Sequence, residues 1–354
     1  MFMKKTNLCV WAFSTKDRHS SKLTSYKFTA EDVTVFIDFG SENITDEDLK
    51  DVDIIFITHE HLDHWGRLIH LHNALNPKCK IVATATTQEI LKRLIELNAW
   101  ENQKYHVNQL QELINKIESY SFFKEYSLSK HVSVRLFPSG HTFGSAMVYL
   151  NCESYSMLFT GDMDFNKKAL NRQYEFPCDL RIDYLFIDST HFLNKDFKKD
   201  FVRNKVERTI KHRNIMYYSR PEKAVALAFE LARMPKLEEY KIHYSADLKW
   251  YLKILTDRGY NPFLNNKVQL AIPDRLDDKS KIITITSQKK FQHLNAEYTL
   301  GLHLSYEDTL EFISQYANEA QVYLTHYDLK DQNQYITVAQ QHGFHCLAEG
   351  LNAL

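Results

Sequence analysis

Paired cysteines are missing from this sequence of 354 residues. Its five cysteines, Cys9, Cys79, Cys152, Cys178 and Cys346, are odd in number, widely scattered and never spaced as C-x-x-C. That pattern excludes a disulfide framework and a thiolate zinc site, and it predicts a reducing, cytoplasmic setting. A long hydrophobic segment near the N-terminus is missing as well. The run Leu8 to Phe13 is too short for a signal peptide or a membrane span, so no membrane partner is expected. Charge of one sign is also lacking, since 44 Lys and Arg balance 45 Asp and Glu. This argues against wholesale electrostatic binding to nucleic acid and leaves room for a local basic face. Internal repeats and low-complexity tracts are absent. What remains is an ordinary globular composition, with a length that suggests one large domain or a domain carrying an insertion.

Histidine is where the chain is dense. His59-Glu60-His61-Leu62-Asp63-His64 places three imidazoles and a carboxylate in six positions, directly after the apolar run Ile54 to Ile57. Neutral imidazole lone pairs and carboxylates crowd together when a cation compensates them, so the hexad reads as half of a metal site. With no thiolate pair available, imidazoles and carboxylates must supply the ligands.

The first half of the chain reads as short strands with interspersed helices. Strands are predicted over 32–38, 53–58, 80–84, 132–137, 146–150, 155–160 and 181–188, and helices over 88–100 and 108–120. The unbroken apolar character of 54–57 predicts a strand buried on both faces. His70 and His72 are expected on the surface of a helix after the hexad. Apolar strands end at His59, His141, Asp162, Asp188 and His326, so metal-type side chains recur where strands give way to loops. After Thr190 the texture changes. Residues 195–213 carry eight Lys or Arg against three acids, followed by an amphipathic helix at 222–233. Residues 192–295 therefore read as an inserted cap between a first core segment, 1–191, and a returning one, 296–354. The return should hold a helix at 308–318, a strand at 320–325 and a helix at 334–341.

His59, His61, Asp63 and His64, then His141 in Ser139-Gly140-His141, Asp162 in Gly161-Asp162-Met163-Asp164, and His326 in Leu324-Thr325-His326 follow one order and spacing. The chain thereby resembles the metallo-β-lactamase superfamily over about residues 30–190 and 300–345. Asp188-Ser189-Thr190-His191 is similar to the acidic motif of its β-CASP nuclease branch, which includes RNase J, the mRNA 3′-end cleavage factors and the DNA cross-link repair nucleases. His303, just before a predicted helix, and His326 fit the branch's two later motifs. The chain departs from the branch in three places. The cap is about half the usual length, Thr286-Ser287-Gln288 matches the phosphate-meeting Ser/Gly loop poorly, and Ser305 stands where Asp is common.

The resemblance implies an αββα sandwich with an inserted α/β cap. It implies two Zn²⁺, or Mn²⁺ on the same N/O donors: one held by His59, His61 and His141, the other by Asp63, His64 and His326, with Asp162 bridging. A metal-bridging hydroxide would attack phosphorus. Asp188 and His303 would deliver a proton to the leaving oxygen, the carboxylate orienting the imidazole. Asp38 would support the ligand loop from behind. His191 stands where the branch usually has Tyr. The expected function is a dinuclear phosphodiesterase acting on RNA or DNA. The alternative is a hydrolase of a small substrate such as a cyclic nucleotide, thioester or lactone, which the short cap favours. Residues 195–213 could meet phosphates or form a solvated face, and a homo-oligomer is left open.

Overall fold

The computed structural model describes residues 8–16, 21–102, 107–164, 175–196, 214–264, 267–270, 281–288, 290 and 303–354. These fall into two compact units. The larger takes the described residues up to 196 together with 303–354, and the smaller those from 214 to 290.

The larger unit opens with strands β1 (Cys9–Lys16), β2 (Ser21–Ala30), β3 (Val33–Ile37), β4 (Ile54–Phe56), β5 (Lys80–Thr84) and β6 (Ile117–Tyr120). It continues with β7 (Glu125–Ser127), β8 (Val132–Pro138), β9 (Ala146–Cys152), β10 (Ser156–Phe159) and β11 (Tyr184–Asp188). The smaller unit holds β12 (Asn214–Tyr218), β13 (Tyr240–Tyr244), β14 (Val268–Leu270) and β15 (Lys281–Thr286). The chain then supplies β16 (Gln321–Thr325), β17 (His345–Cys346) and β18 (Gly350–Ala353) to the larger unit. Helices in chain order are α1 (Leu62–Trp65), α2 (Leu68–Leu71), α3 (Ala85–Asn102), α4 (Val107–Lys116), α5 (Pro221–Ala232), α6 (Lys249–Asp257), α7 (Tyr306–Tyr316) and α8 (Gln332–Gln341).

Two seven-stranded sheets, ordered β18-β1-β2-β3-β4-β5-β6 and β17-β16-β11-β10-β9-β8-β7, pack face to face. Phe28 of the first stacks on Phe159 of the second at 5.1 Å between ring centres, and Phe159 stacks in turn on Phe186 at 4.1 Å. Such stacks add to the area they bury, and the Phe28–Phe159 pair bridges the two sheets. The run Ile54 to Ile57 is apolar throughout for a simple reason. Ile54 and Phe56 enter the core between the sheets, whereas Ile55 and Ile57 join a separate cluster with Leu91, Ile95 and Leu113 of the outer helices. Both faces of β4 are covered, giving the αββα sandwich.

Strand direction positions the site. β3 and β4 run parallel, and so do β10, β11 and β16. Because β8 and β10 are both antiparallel to β9, β8 points the same way as β10. All the strands that end near Asp38, His59, His141, Asp162, Asp188 and His326 thus release the chain at matching ends of their sheets.

Two local expectations are corrected. The helix predicted over 108–120 stops at Lys116, and Ile117–Tyr120 is strand β6, with Ile81 opposite Ile117 and Thr84 opposite Tyr120. Ile117 and Tyr120 are buried and three apart, a spacing that suits a helix face, but the open edge of β5 captures their backbone. His70 is exposed as expected. His72 is buried, its Nδ1 3.0 Å from the Ile69 carbonyl oxygen.

The smaller unit is a parallel sheet ordered β12-β15-β13-β14, with α5 and α6 in its crossovers. Asp247 accepts hydrogen bonds from Ser287 N (2.6 Å), Ser287 Oγ (2.7 Å) and Thr286 Oγ1 (3.0 Å). The hydroxyls of the Thr286-Ser287-Gln288 loop are therefore turned onto a carboxylate of their own unit. The basic run lies outside the described residues except at its start, where Lys195 places its ammonium 4.8 Å from the centre of the Tyr306 ring. No described helix is long and apolar enough to cross a membrane.

Candidate metal centre

The loop after β4 is shaped by backbone pairing and by one glycine. His61 precedes the single turn α1, His64 N donates to His61 O (2.9 Å), and buried Trp65 pins the turn by donating from Nε1 to Glu60 O (2.8 Å). Phe39 N donates to His64 O, so the loop lies against the chain leaving β3. That approach requires Gly40, because a Cβ there would sit 1.7 Å from Asp63 O and 2.1 Å from Asp63 C. Gly40→Ala should therefore displace Asp63 and His64 and destabilise the protein by about 1–3 kcal/mol. Urea unfolding and metal content would check this, and unchanged values for both would refute it. A second tie, Thr142 Oγ1 donating to buried Glu60 at 2.6 Å, joins the hexad to the His141 loop.

The side chains converge as the sequence predicts. Asp162 lies at the middle, 2 % exposed. Its Oδ2 is 3.6 Å from Nε2 of His59 and 3.6 Å from Nε2 of His141. Its Oδ1 is 3.5 Å from Nε2 of His64 and 3.3 Å from Nε2 of His326. His61 Nδ1 is 3.2 Å from His141 Nε2, and Asp63 Oδ2 is 3.7 Å from Nε2 of both His64 and His326. The potential ligand atoms of His59, His61, His141 and Asp162 lie within 4.8 Å of one another, as do those of Asp63, His64 and His326. One carboxylate thus presents a different oxygen to each of two donor groups.

His59 Nε2, His64 Nε2, His326 Nε2 and Asp162 Oδ1 are buried without a hydrogen bond among the described residues. Each such orphan costs about 1–3 kcal/mol. Four converging on one spot fit a divalent cation, whose preferred donors are imidazole nitrogen and carboxylate oxygen. Electrostatics supports the fit. Burial, then the neighbouring His64 and His61, holds His59 well below the usual imidazole range, leaving it neutral with a lone pair to give. Burial opposes charge on His64, yet the Asp162, Asp38 and Asp63 carboxylates raise it well above that range. A cation at His64 must then displace a proton, and occupancy should rise with pH until His64 has lost it. Calorimetry in buffers of different ionisation enthalpy should register that proton release, and a heat independent of buffer would contradict it.

Behind the donors stand two carboxylates. Asp38, at φ +60°, accepts from Thr58 N (2.7 Å) and Thr58 Oγ1 (2.8 Å), and its Oδ2 lies 2.7 Å from His64 Nδ1. Thr58 Oγ1 is in turn 3.0 Å from His59 Nδ1. Asp188 is fully buried. Its Oδ2 lies 2.8 Å from His303 Nδ1 and accepts from Met163 N, while its Oδ1 accepts from Thr190. Burial works against its charge, but the His303 imidazole holds the carboxyl below the usual carboxylate range. The His303 ring centre is 4.7 Å from that of His141 and 5.4 Å from that of His326. His191 lies beside it at 5.8 Å and belongs to none of the potential ligand groups among the described residues.

Residues 28–180 match the model of the metallo-beta-lactamase superfamily. Those residues carry a metallo-beta-lactamase domain. An RNase J-like protein of Methanocaldococcus jannaschii is 24 % identical over 266 residues, covering 70 % of this chain and 61 % of that one. Endoribonuclease ysh1 of Aspergillus fumigatus is 29 % identical over 153 residues, 40 % of this chain and 17 % of that protein. Transcription termination factor FttA of Methanothermobacter thermautotrophicus is 26 % identical over 215 residues, 56 % of this chain and 32 % of that protein. These relatives bear out the resemblance to the β-CASP branch, and the chain spans less than two thirds of the length of each. A solved structure of a protein of unknown function from Enterococcus faecalis V583 covers 99 % of the chain, and the chain covers all of it, with a TM-score of 0.56 and 13 % identity. It shares the fold.

Sequence reasoning missed the two threonines. Thr58 directly precedes the first histidine of a metallo-β-lactamase metal motif, and Thr190 follows Asp188 by two positions, the spacing at which an Asp side chain caps a turn. Neither signal separates a support residue from an ordinary turn residue without the partners in space.

Proposed function

We propose that the chain is a dinuclear-metal phosphodiesterase that cleaves RNA. The observation that carries this reading is the Asp188–His303 pair, 2.8 Å between Oδ2 and Nδ1, set beside the His141 and His326 rings. Hydrolysis of a phosphodiester needs charge neutralised at phosphorus and a proton for the leaving oxygen, and the site offers donors for both. His59, His61 and His141 would hold one cation, Asp63, His64 and His326 a second, and Asp162 would serve both. Zn²⁺ suits a site this rich in imidazole, and Mn²⁺ would accept the same donors. When bound, the cations supply Lewis acidity at phosphorus and lower the pKa of attacking water. Asp188 orients His303 through Nδ1, so Nε2 of the doubly protonated ring is the atom that would give up the proton. Relatives named as ribonucleases favour RNA over DNA as the polymer.

Metal analysis of the purified protein, combined with digestion of 5′- and 3′-labelled RNA and DNA and of bis-p-nitrophenyl phosphate, tests the proposal. Metal-dependent cleavage of RNA supports it, and cleavage of DNA alone reassigns the polymer. Turnover of a thioester or lactone without phosphodiester cleavage overturns it.

A further inference from the structure

The Thr190 hydroxyl lies where two histidines and a carboxylate meet. Its Oγ1 is 2.7 Å from Asp188 Oδ1 and 2.8 Å from His326 Nδ1. A hydroxyl has one proton to donate and lone pairs with which to accept. Two oxygens compete for that proton, Asp188 Oδ1 and the His326 carbonyl oxygen at the longer distance of 3.3 Å; His303 Nδ1, also 3.3 Å away, has its own nearer partner in Asp188 Oδ2 at 2.8 Å. The ionised carboxylate is nearer and is the stronger acceptor. Were the proton directed at His326 instead, the hydroxyl lone pairs would face Asp188 Oδ1 at 2.7 Å with nothing between them. Thr190 therefore donates to Asp188 and accepts from His326, so the proton on the His326 ring sits on Nδ1. Nε2 is then bare, and it is the atom that faces Asp162 and Asp63 at 3.3 Å and 3.7 Å.

The other half of the centre has the same arrangement. Thr58 donates to Asp38 and sits 3.0 Å from His59 Nδ1, while Asp38 takes His64 Nδ1 directly. On each side one buried aspartate at a strand exit serves one histidine directly and a second through a threonine.

We propose that Thr190 is a positioning residue that fixes the Nδ1–H tautomer of His326, so that Asp188 serves His303 directly and His326 through a hydroxyl. The proposal deepens the two-cation reading and rests on it. Thr190→Val keeps the shape and removes the acceptor, Thr190→Ser restores it, and Thr190→Ala covers the case in which the valine variant does not fold. Nitrogen-15 NMR of the full-length, metal-stripped protein reads the tautomer, with the His326 signal assigned by its loss in His326→Ala. Titration with Zn²⁺ then reads each binding step. Wild type and Thr190→Ser should show the Nδ1–H form. Thr190→Val or Thr190→Ala should lose it and bind one of the two Zn²⁺ about 10–100-fold more weakly. An unchanged tautomer and unchanged Zn²⁺ affinity in the variants lacking the hydroxyl overturn the proposal. If wild type takes up no second Zn²⁺, the two-cation reading fails, while the NMR result still decides whether Thr190 sets the tautomer.

Discussion

Asp162→Asn should weaken both halves of the metal centre in a single substitution. Each carboxylate oxygen of Asp162 faces a different pair of imidazoles, at 3.6 and 3.6 Å on one side and 3.5 and 3.3 Å on the other. An amide of the same shape offers one oxygen, turns an NH₂ group that cannot ligate toward the other half, and removes the negative charge between two dications. The volume is kept, so the fold should persist. The expected result is a fall from two bound cations to one or none, with phosphodiesterase activity lower by about 10³-fold, the scale of losing a preorganised electrostatic group from a dry site. Metal analysis and circular dichroism on the same preparation check it. Full metal content with activity within tenfold of wild type would remove Asp162 from its bridging position.

His303→Ala should separate metal binding from proton delivery. His303 reaches Asp188 through Nδ1 at 2.8 Å and is 3.8 Å from Asp162; it shares a potential ligand group with Asp162, Asp188 and His326, but its loss leaves the His59, His61, His141 and Asp162 group and the Asp63, His64 and His326 group intact. Both cations should stay. Cleavage of RNA, whose leaving alkoxide is strongly basic, should fall by about 10²–10⁴-fold, the range of general acid catalysis. Bis-p-nitrophenyl phosphate releases a stable phenolate that needs no proton, and its turnover should change little. Equal losses on both substrates would mean that His303 places the substrate instead of protonating it.

The candidate metal donors are legible in the sequence because their chemistry is scarce and their context repeats. Few roles put His59, His61, Asp63 and His64 in one loop, and each later donor leaves a strand whose apolar run is plain to read. What the sequence hides depends on partners far along the chain. β1 and β18 pair through Cys9 and Ala353, residues from opposite ends, so neither carries a local signal for the other. Ile117 and Tyr120 satisfy a helix period and a strand edge alike, and only β5 decides between them. Thr58 and Thr190 are ordinary residues until the histidine nitrogens beside them are located. His72 reads as a surface residue because it is polar, although Trp65, Leu68, Ile69 and Leu75, buried with it, mark the same helical face.

The order in which the chain delivers its donors has a consequence in time. His59, His141, Asp162 and Asp188 are synthesised first, most of the smaller unit follows, and His303 and His326 come only after it. A ribosome-bound chain that holds the hexad but has not reached His326 lacks a candidate ligand and the partner of Thr190. Ribosomal synthesis takes tens of seconds for a chain of this length, at roughly 5–20 residues per second. Until His326 has been added, the donor group of Asp63, His64 and His326 cannot form, whatever the rest of the fold has reached.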